Sequence, residues 1–105
     1  MEHVIYKGGK NQSVFVLLHG TGGTETSLLE VGSALNSQAT LIGIRGNTLE
    51  NGYPRFFKRL AEGKYDEVDL AERTIELHEF IQALLNKEDL SSENVVLVGY
   101  SNGAN

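Results

Sequence analysis

Three stretches of the chain are apolar without alternation: Val14-Phe15-Val16-Leu17-Leu18, Leu41-Ile42-Gly43-Ile44 and Val95-Val96-Leu97-Val98. A strand with one wet face alternates apolar and polar residues, so a continuous run predicts cover on both faces, as in a parallel sheet held between helices. A fourth segment, residues 3–7, alternates loosely and ends at Gly8-Gly9, which reads as a half-buried edge strand. Two segments carry the helical period instead. In residues 26–36, Leu28, Val31 and Leu35 recur at that spacing. In residues 67–87, Leu70, Thr74, Leu77, Ile81, Leu84 and Leu85 form one face, and Glu72, Glu76, Glu79 and Asn86 form the other. Asp66 and Asp69 stand where their side chains can cap the first turn of that helix. Asp69 and Arg73 are spaced as an i,i+4 pair, which contributes only about 0.3–0.5 kcal/mol. The order strand, strand, helix, strand, long connection, helix, strand predicts an α/β fold with right-handed crossovers, a mostly parallel sheet and flanking helices. No repeat, low-complexity tract or linker interrupts residues 1–105, so they are expected to belong to one domain.

The long connection, residues 45–66, has no sustained period, although residues 54–61 would suit a short helix. It follows the carboxyl end of a predicted strand, the edge at which open α/β sheets bind ligands. It contains four of the eight aromatic residues, Tyr53, Phe56, Phe57 and Tyr65. It also contains five of the nine basic residues, Arg45, Arg55, Lys58, Arg59 and Lys64. A surface excursion anchored by its aromatics would explain this composition, and so would a wall of a substrate pocket. The second reading is preferred, with Tyr53, Phe56 and Phe57 as lining residues.

The chemistry concentrates at two glycine-rich turns. Gly99-Tyr100-Ser101-Asn102-Gly103 is a G-x-S-x-G directly after an apolar strand. Such a pattern arises by chance in roughly 3% of chains of this length, but the strand before it and the small Gly103 and Ala104 after it are what a tight strand-to-helix elbow needs. Ser101 is therefore the expected nucleophile. The alternative is an inconsequential Ser-Asn-Gly loop. The second turn, His19-Gly20-Thr21-Gly22-Gly23, ends the strand at Leu18 and precedes a helix. It exposes backbone N–H groups of the kind that hold a developing oxyanion. The N–H of Thr21 and the N–H of Asn102 are the expected pair of donors, with Gly20 and Gly22 lining the same pocket. His19 is read as a buttress of its turn, His78 as a half-buried packing residue, and His3 as a terminal one. No aspartate, glutamate or histidine follows Ser101, where the other two members of a Ser-Asp/Glu-His triad would be expected. A rival reading takes Gly20 to Glu25 as a phosphate-binding turn, with Arg45 on a 2′-phosphate. The turn lacks its last glycine, no Gly-Lys-Ser/Thr is present, and the elbow is left unexplained.

Composition narrows the setting. Hydrophobic residues make up 40% and charged residues 22% of the chain, ordinary values for a globular protein. There is no cysteine, which excludes disulfides and thiolate metal sites and suits the cytoplasm. The first residues lack the basic and apolar regions of a signal peptide, and no apolar run approaches the ~20 residues that span a bilayer. A net charge of −5 argues against a nucleic-acid partner.

Taken in register, Val16 to Gly23, then Arg45-Gly46-Asn47, Glu50-Asn51-Gly52 and Pro54-Arg55-Phe56-Phe57, then Gly99 to Asn105 resemble the phospholipase/carboxylesterase family of small α/β-hydrolases. Within it, the likeness is to bacterial hydrolases induced by methylhydroquinone. The resemblance implies the N-terminal part of an α/β-hydrolase fold and a cytoplasmic serine esterase acting on small acyl esters. Ser101 stands at the nucleophile position, Thr21 and Asn102 at the oxyanion positions. No metal or organic cofactor is implied. Family members are about twice as long, with their acid and histidine in the second half, so residues 1–105 alone are expected to be nearly inactive. The family sheet places the strand of Val95 to Val98 in its middle, which would leave that strand's outer edge open here. The competing expectation is a non-catalytic chain that associates with a partner, or with itself as a homo-oligomer, through that edge.

Overall fold

Strand β2 (Val14–Leu18) is buried on both faces and pairs with a parallel strand on each edge, which makes it the axis of the fold. In the computed structural model, which describes residues 1–9, 12–50, 52–56, 59–61, 64–65, 67–90 and 92–100, a four-stranded sheet is built around it. Strand β3 (Thr40–Ile44) runs parallel to β2 on one side, with Val14 opposite Thr40 and Leu18 opposite Ile44. Strand β1 (His3–Tyr6) lies beyond β3 and antiparallel to it, with His3 opposite Ile44. On the far side of β2 a parallel strand, numbered below, completes the sheet.

The first crossover carries helix α1 (Leu29–Leu35) from β2 to β3. The second leaves β3 and passes through two short antiparallel hairpins. The first pairs β4 (Thr48–Glu50) with β5 (Tyr53–Arg55), and the second pairs β6 (Arg59–Ala61) with β7 (Lys64–Tyr65). Helix α2 (Glu67–Lys87) follows, then a single 3-10 turn (Ser92–Asn94) and strand β8 (Val95–Gly99). The sheet order is thus β1-β3-β2-β8. One crossover steps from β2 toward β3 and the other steps back past β2 to β8. Two right-handed crossovers in opposite directions must place their helices on opposite faces of the sheet. The side-chain alternation of β2 records this division. Val14, Val16 and Leu18 join Ile42, Ile44, Leu84 and Leu85 on the α2 face, with Leu77, Phe80 and Ile81 packed against them. Phe15 and Leu17 join Ala39 and Leu41 on the α1 face, with Leu28 and Leu29.

Several expectations are corrected. Helix α1 begins at Leu29 and not near residue 26. Thr24 and Ser27 occupy each other locally, Ser27 N–H donating to the Thr24 carbonyl (3.2 Å) and Thr24 N–H to Ser27 Oγ (2.8 Å). Hydroxyl side chains that bond nearby backbone favour turns over helix. With the start delayed, Leu28, Leu29 and Gly32 face the sheet, while Val31 and Leu35 are exposed. Helix α2 has its expected bounds, but Thr74 and His78 are exposed and Phe80 takes a place on the apolar face. Asp66 and the Asp69 side chain lie outside the described residues, and with them the expected caps and the Asp69–Arg73 pair; Arg73 also meets Glu76 at 3.3 Å. Among the described residues of 54–61 there is no helix where a short one is expected, and strands β5 and β6 stand there instead. The sequence signal for the first hairpin is Asn51-Gly52, since an Asn-Gly pair favours a two-residue hairpin turn, and Gly52 has φ +83°. Finally, β8 is not covered on both faces, since Val96 and Leu97 are 47% and 60% exposed. It is the outermost strand of this sheet, with β2 as its neighbour.

The unequal burial of β3 and β8 predicts unequal sensitivity. Ile42→Ala, at a side chain 1% exposed, is expected to cost about 2–5 kcal/mol by urea denaturation. Leu97→Ala on the open strand is expected to cost a small fraction of that, because most of its surface already meets water.

Candidate active site

The crossover from β2 steps one way across the sheet to β3 and the crossover from β3 steps back past β2 to β8, so the strand order reverses there, and the carboxyl ends of the strands at such a reversal are where open α/β sheets receive ligands. Leu18 stands opposite Gly99, and the Tyr100 N–H donates to the Leu18 carbonyl at 3.1 Å, carrying the pairing one residue past β8. The start of the glycine turn after Leu18 and Tyr100 thus lie side by side at the end of the sheet. Ser101 and Asn102, the predicted nucleophile and second oxyanion donor, lie outside the described residues, as does Phe57.

The turn itself is well defined. Gly23 N–H donates to the Gly20 carbonyl at 3.0 Å, and Gly22 has φ +83°. A four-residue turn with a positive φ at its third position needs glycine there. His19, 1% exposed, holds the turn from below. Its Nδ1 lies 2.5 Å from the Gly20 carbonyl oxygen, and the Gly46 N–H donates to its Nε2 at 2.9 Å. Only the neutral ring with its proton on Nδ1 satisfies both contacts. The Gly20 carbonyl and the Thr21 N–H belong to one trans peptide and point in opposite directions. With the carbonyl drawn inward by His19 and Gly23, the Thr21 N–H is turned outward. Gly22 donates to the Pro54 carbonyl (2.9 Å) and Gly23 to Gly20, while the Thr21 N–H has no partner among the described residues.

The β4–β5 hairpin sits on this turn. Besides the Gly22–Pro54 bond, Arg55 Nη1 donates to Thr21 Oγ1 at 2.5 Å. The Phe56 ring packs on the His19 imidazole with centroids 4.6 Å apart. Tyr53, 60% exposed, lies against Gly22. Of the expected pocket residues, Gly20, Gly22 and Tyr53 are therefore gathered at the turn, whereas Phe56 points into the core beneath it. Gly46, at the exit of β3, approaches the Arg55–Phe56 peptide so closely that a Cβ would overlap the Arg55 carbonyl. Arg45 is not available as a phosphate ligand in the way the dinucleotide reading requires. Its guanidinium holds Glu25 (Nη2 to Oε1, 2.8 Å) and Glu2 (Nη1 to Oε2, 3.0 Å). It thereby fastens the loop after the glycine turn to the start of the chain. Spacing along the chain contained no sign of the Arg55, Gly46 and Glu25 contacts. A cavity of about 250 Å³ lies nearby, lined by Glu2, Arg45, Gly46, Asn47, Leu49 and Pro54, and it includes none of the expected site residues. Among the described residues no cluster of histidine and carboxylate groups could hold a metal ion, and no helix is long and apolar enough to cross a membrane.

The family model of the phospholipase/carboxylesterases matches residues 1–105. The chain belongs to the phospholipase/carboxylesterase family. It is 51% identical over its whole length to the hydrolase MhqD of Bacillus subtilis strain 168 and covers 52% of that protein. Its fold superposes on the crystal structure of a Bacillus cereus carboxylesterase with a TM-score of 0.96 and 50% identity, covering 99% of this chain and 50% of the other. A carboxylesterase from Mesorhizobium loti matches with a TM-score of 0.86 at 27% identity, over 91% of this chain and 46% of its own. The chain thus spans about half the length of these relatives, and its architecture is the corresponding part of their α/β-hydrolase fold.

Within this family member, the fold shifts the protonation of His19 and Glu25. Burial lowers the His19 pKa below its ordinary 6.5, outweighing the Gly20 carbonyl and Glu25, which favour the proton; Arg45 adds a smaller lowering effect. Glu25 is lowered chiefly by its own backbone N–H and then by Arg45, against the opposing effect of burial. A histidine held neutral in the folded state takes up its proton more readily when unfolded. Stability is therefore unaffected well above pH 6.5 and falls as pH drops below it, until the folded pKa is reached. The Glu25 contribution has the same sign but is lost at lower pH, below its ordinary 4.5. Urea midpoints measured from pH 7.5 to 5 are expected to fall. His19→Gln, which can accept the Gly46 N–H through Oε1 and does not titrate, is expected to flatten the fall.

Proposed function

We propose that this chain supplies the nucleophile and the oxyanion donors of a serine carboxylesterase. Ser101 Oγ attacks the carbonyl carbon of a small acyl ester. The Ser101 proton passes to a histidine, oriented by an acidic residue, both contributed by the part of the protein that corresponds to the second half of the relatives. The tetrahedral oxyanion is held by the N–H groups of Thr21 and Asn102, the alcohol leaves, and water releases the acid from the acyl-enzyme. This chemistry uses no metal and no organic cofactor. The observation that carries the reading is the Thr21 N–H. It is turned outward by the inward hold on the Gly20 carbonyl, has no partner among the described residues, and sits beside the strand that leads to Ser101. The names of the relatives, a hydrolase and two carboxylesterases, agree with an esterase. Gly20, Gly22 and Tyr53 are assigned to the acyl pocket, next to the turn.

The second reading, a chain that only binds through its open β8 edge, draws on the exposure of Val96 and Leu97. A fluorophosphonate probe separates the two. The full-length protein is expected to label at Ser101. Ser101→Ala is expected to abolish labelling and lower kcat on a p-nitrophenyl ester by about 10⁴-fold or more. A polypeptide of residues 1–105 is expected to be nearly inactive. Absence of labelling in the full-length protein would leave the binding reading in its place.

A further inference from the structure

The geometry points to Arg55 as a positioning residue that sets the direction of the Thr21 N–H through the threonine side chain. This inference rests on the oxyanion role proposed above for that N–H. Arg55 is 4% exposed, on a three-residue strand, and its Nη1 donates to Thr21 Oγ1. A guanidinium is seldom buried, because it loses its hydration unless its donors are used. Attachment of the hairpin to the turn does not account for this arginine, since the Gly22 N–H to Pro54 carbonyl bond already joins them, and the Phe56 ring on His19 adds a third link.

What Arg55 adds follows from the geometry at the Thr21 Cα. On its carboxyl side the Thr21–Gly22 peptide is held by the Gly22–Pro54 bond. On its amino side the Gly20–Thr21 peptide is held through the Gly20 carbonyl, which meets His19 Nδ1 and the Gly23 N–H. The side chain is the remaining substituent that can be gripped, and Arg55 grips it by a charge-assisted bond. With all three held, rotation about the Thr21 backbone is blocked and the N–H keeps one heading. An oxyanion donor acts through such preorganisation, and small misalignments are costly. Gly46 packs closely against the Arg55–Phe56 peptide.

The test is steady-state hydrolysis of p-nitrophenyl acetate by the full-length protein. Arg55→Met and Thr21→Val, each of which removes one end of the bond, are expected to lower kcat about 10- to 100-fold with KM within about twofold. The double variant is expected to be no slower than either single one, Thr21→Ser, which restores the hydroxyl, to recover most of the kcat lost in Thr21→Val, and Arg55→Lys to recover part of the loss. Unchanged kcat in Thr21→Val, with Ser101 still labelled by fluorophosphonate, would overturn the inference. So would additive losses in the double variant. Should Arg55→Met fail to fold, Thr21→Val against Thr21→Ser decides, because that side chain lies on an exposed turn. Should Ser101 not label in the parent, the oxyanion role has failed. The clamp is then read from exchange of the Gly22 amide hydrogen, which is expected to be about tenfold faster in Thr21→Val; an unchanged rate would remove the clamp as well.

Discussion

β2 is hydrogen-bonded along both edges and covered on both faces, and the rest of the structure is arranged by that constraint. A buried strand has no water for its N–H and C=O groups, so they must be met by neighbouring strands in a single register. That register aligns Leu18 with Ile44 on one side and with Gly99 on the other. A shift by one residue would turn Val14, Val16 and Leu18 from the α2 face to the α1 face and separate both clusters from their partners. Three strand ends are thereby brought level at one edge, and the turn at His19, the turn at Arg45 and Tyr100 start from a common line.

From that line the site is assembled by backbone groups more than by side chains. The Gly20 carbonyl faces His19 and Gly23, Gly22 faces Pro54, and Gly46 faces His19. Each bond fixes one peptide plane, and a trans peptide transmits the choice to the group at its other end. A neutral imidazole can serve as donor and acceptor at once, which lets His19 join two chain segments 27 residues apart. Protonation would put a second donor opposite the Gly46 N–H, so the burial that lowers its pKa also protects the arrangement.

The two sides of the sheet differ in completeness. β1 closes one side with an antiparallel strand, and Arg45 ties its start to the loop after the glycine turn. β8 stands at the other with exposed Val96 and Leu97, in a chain that spans about half the length of its relatives. Apolar side chains in such numbers on an outer strand are unusual for a finished edge, which proteins normally blunt with charge or proline.

The local pattern determined β2, β3, β8 and α2, together with the α/β class. Unbroken apolar runs and a 3.6-residue period are properties of contiguous residues and survive any arrangement of the rest. It also marked the glycine turn at residues 19–23, since its backbone shape is written in the residues that adopt it. The delayed start of α1 was less legible, because the same threonines and serine that permit a helix also bond its backbone in turns. Only the tertiary structure decided the roles of residues 45–56. Phe56 looked like a pocket residue by composition, Arg55 like one of several basic residues beside it, and Arg45, in the rival reading, like an anion ligand. Their partners Thr21, His19 and Glu25 lie twenty to thirty-seven positions away in the chain. No spacing rule reaches that far: whether a buried arginine grips a threonine depends on where two crossovers bring their ends, and that is a property of the folded sheet.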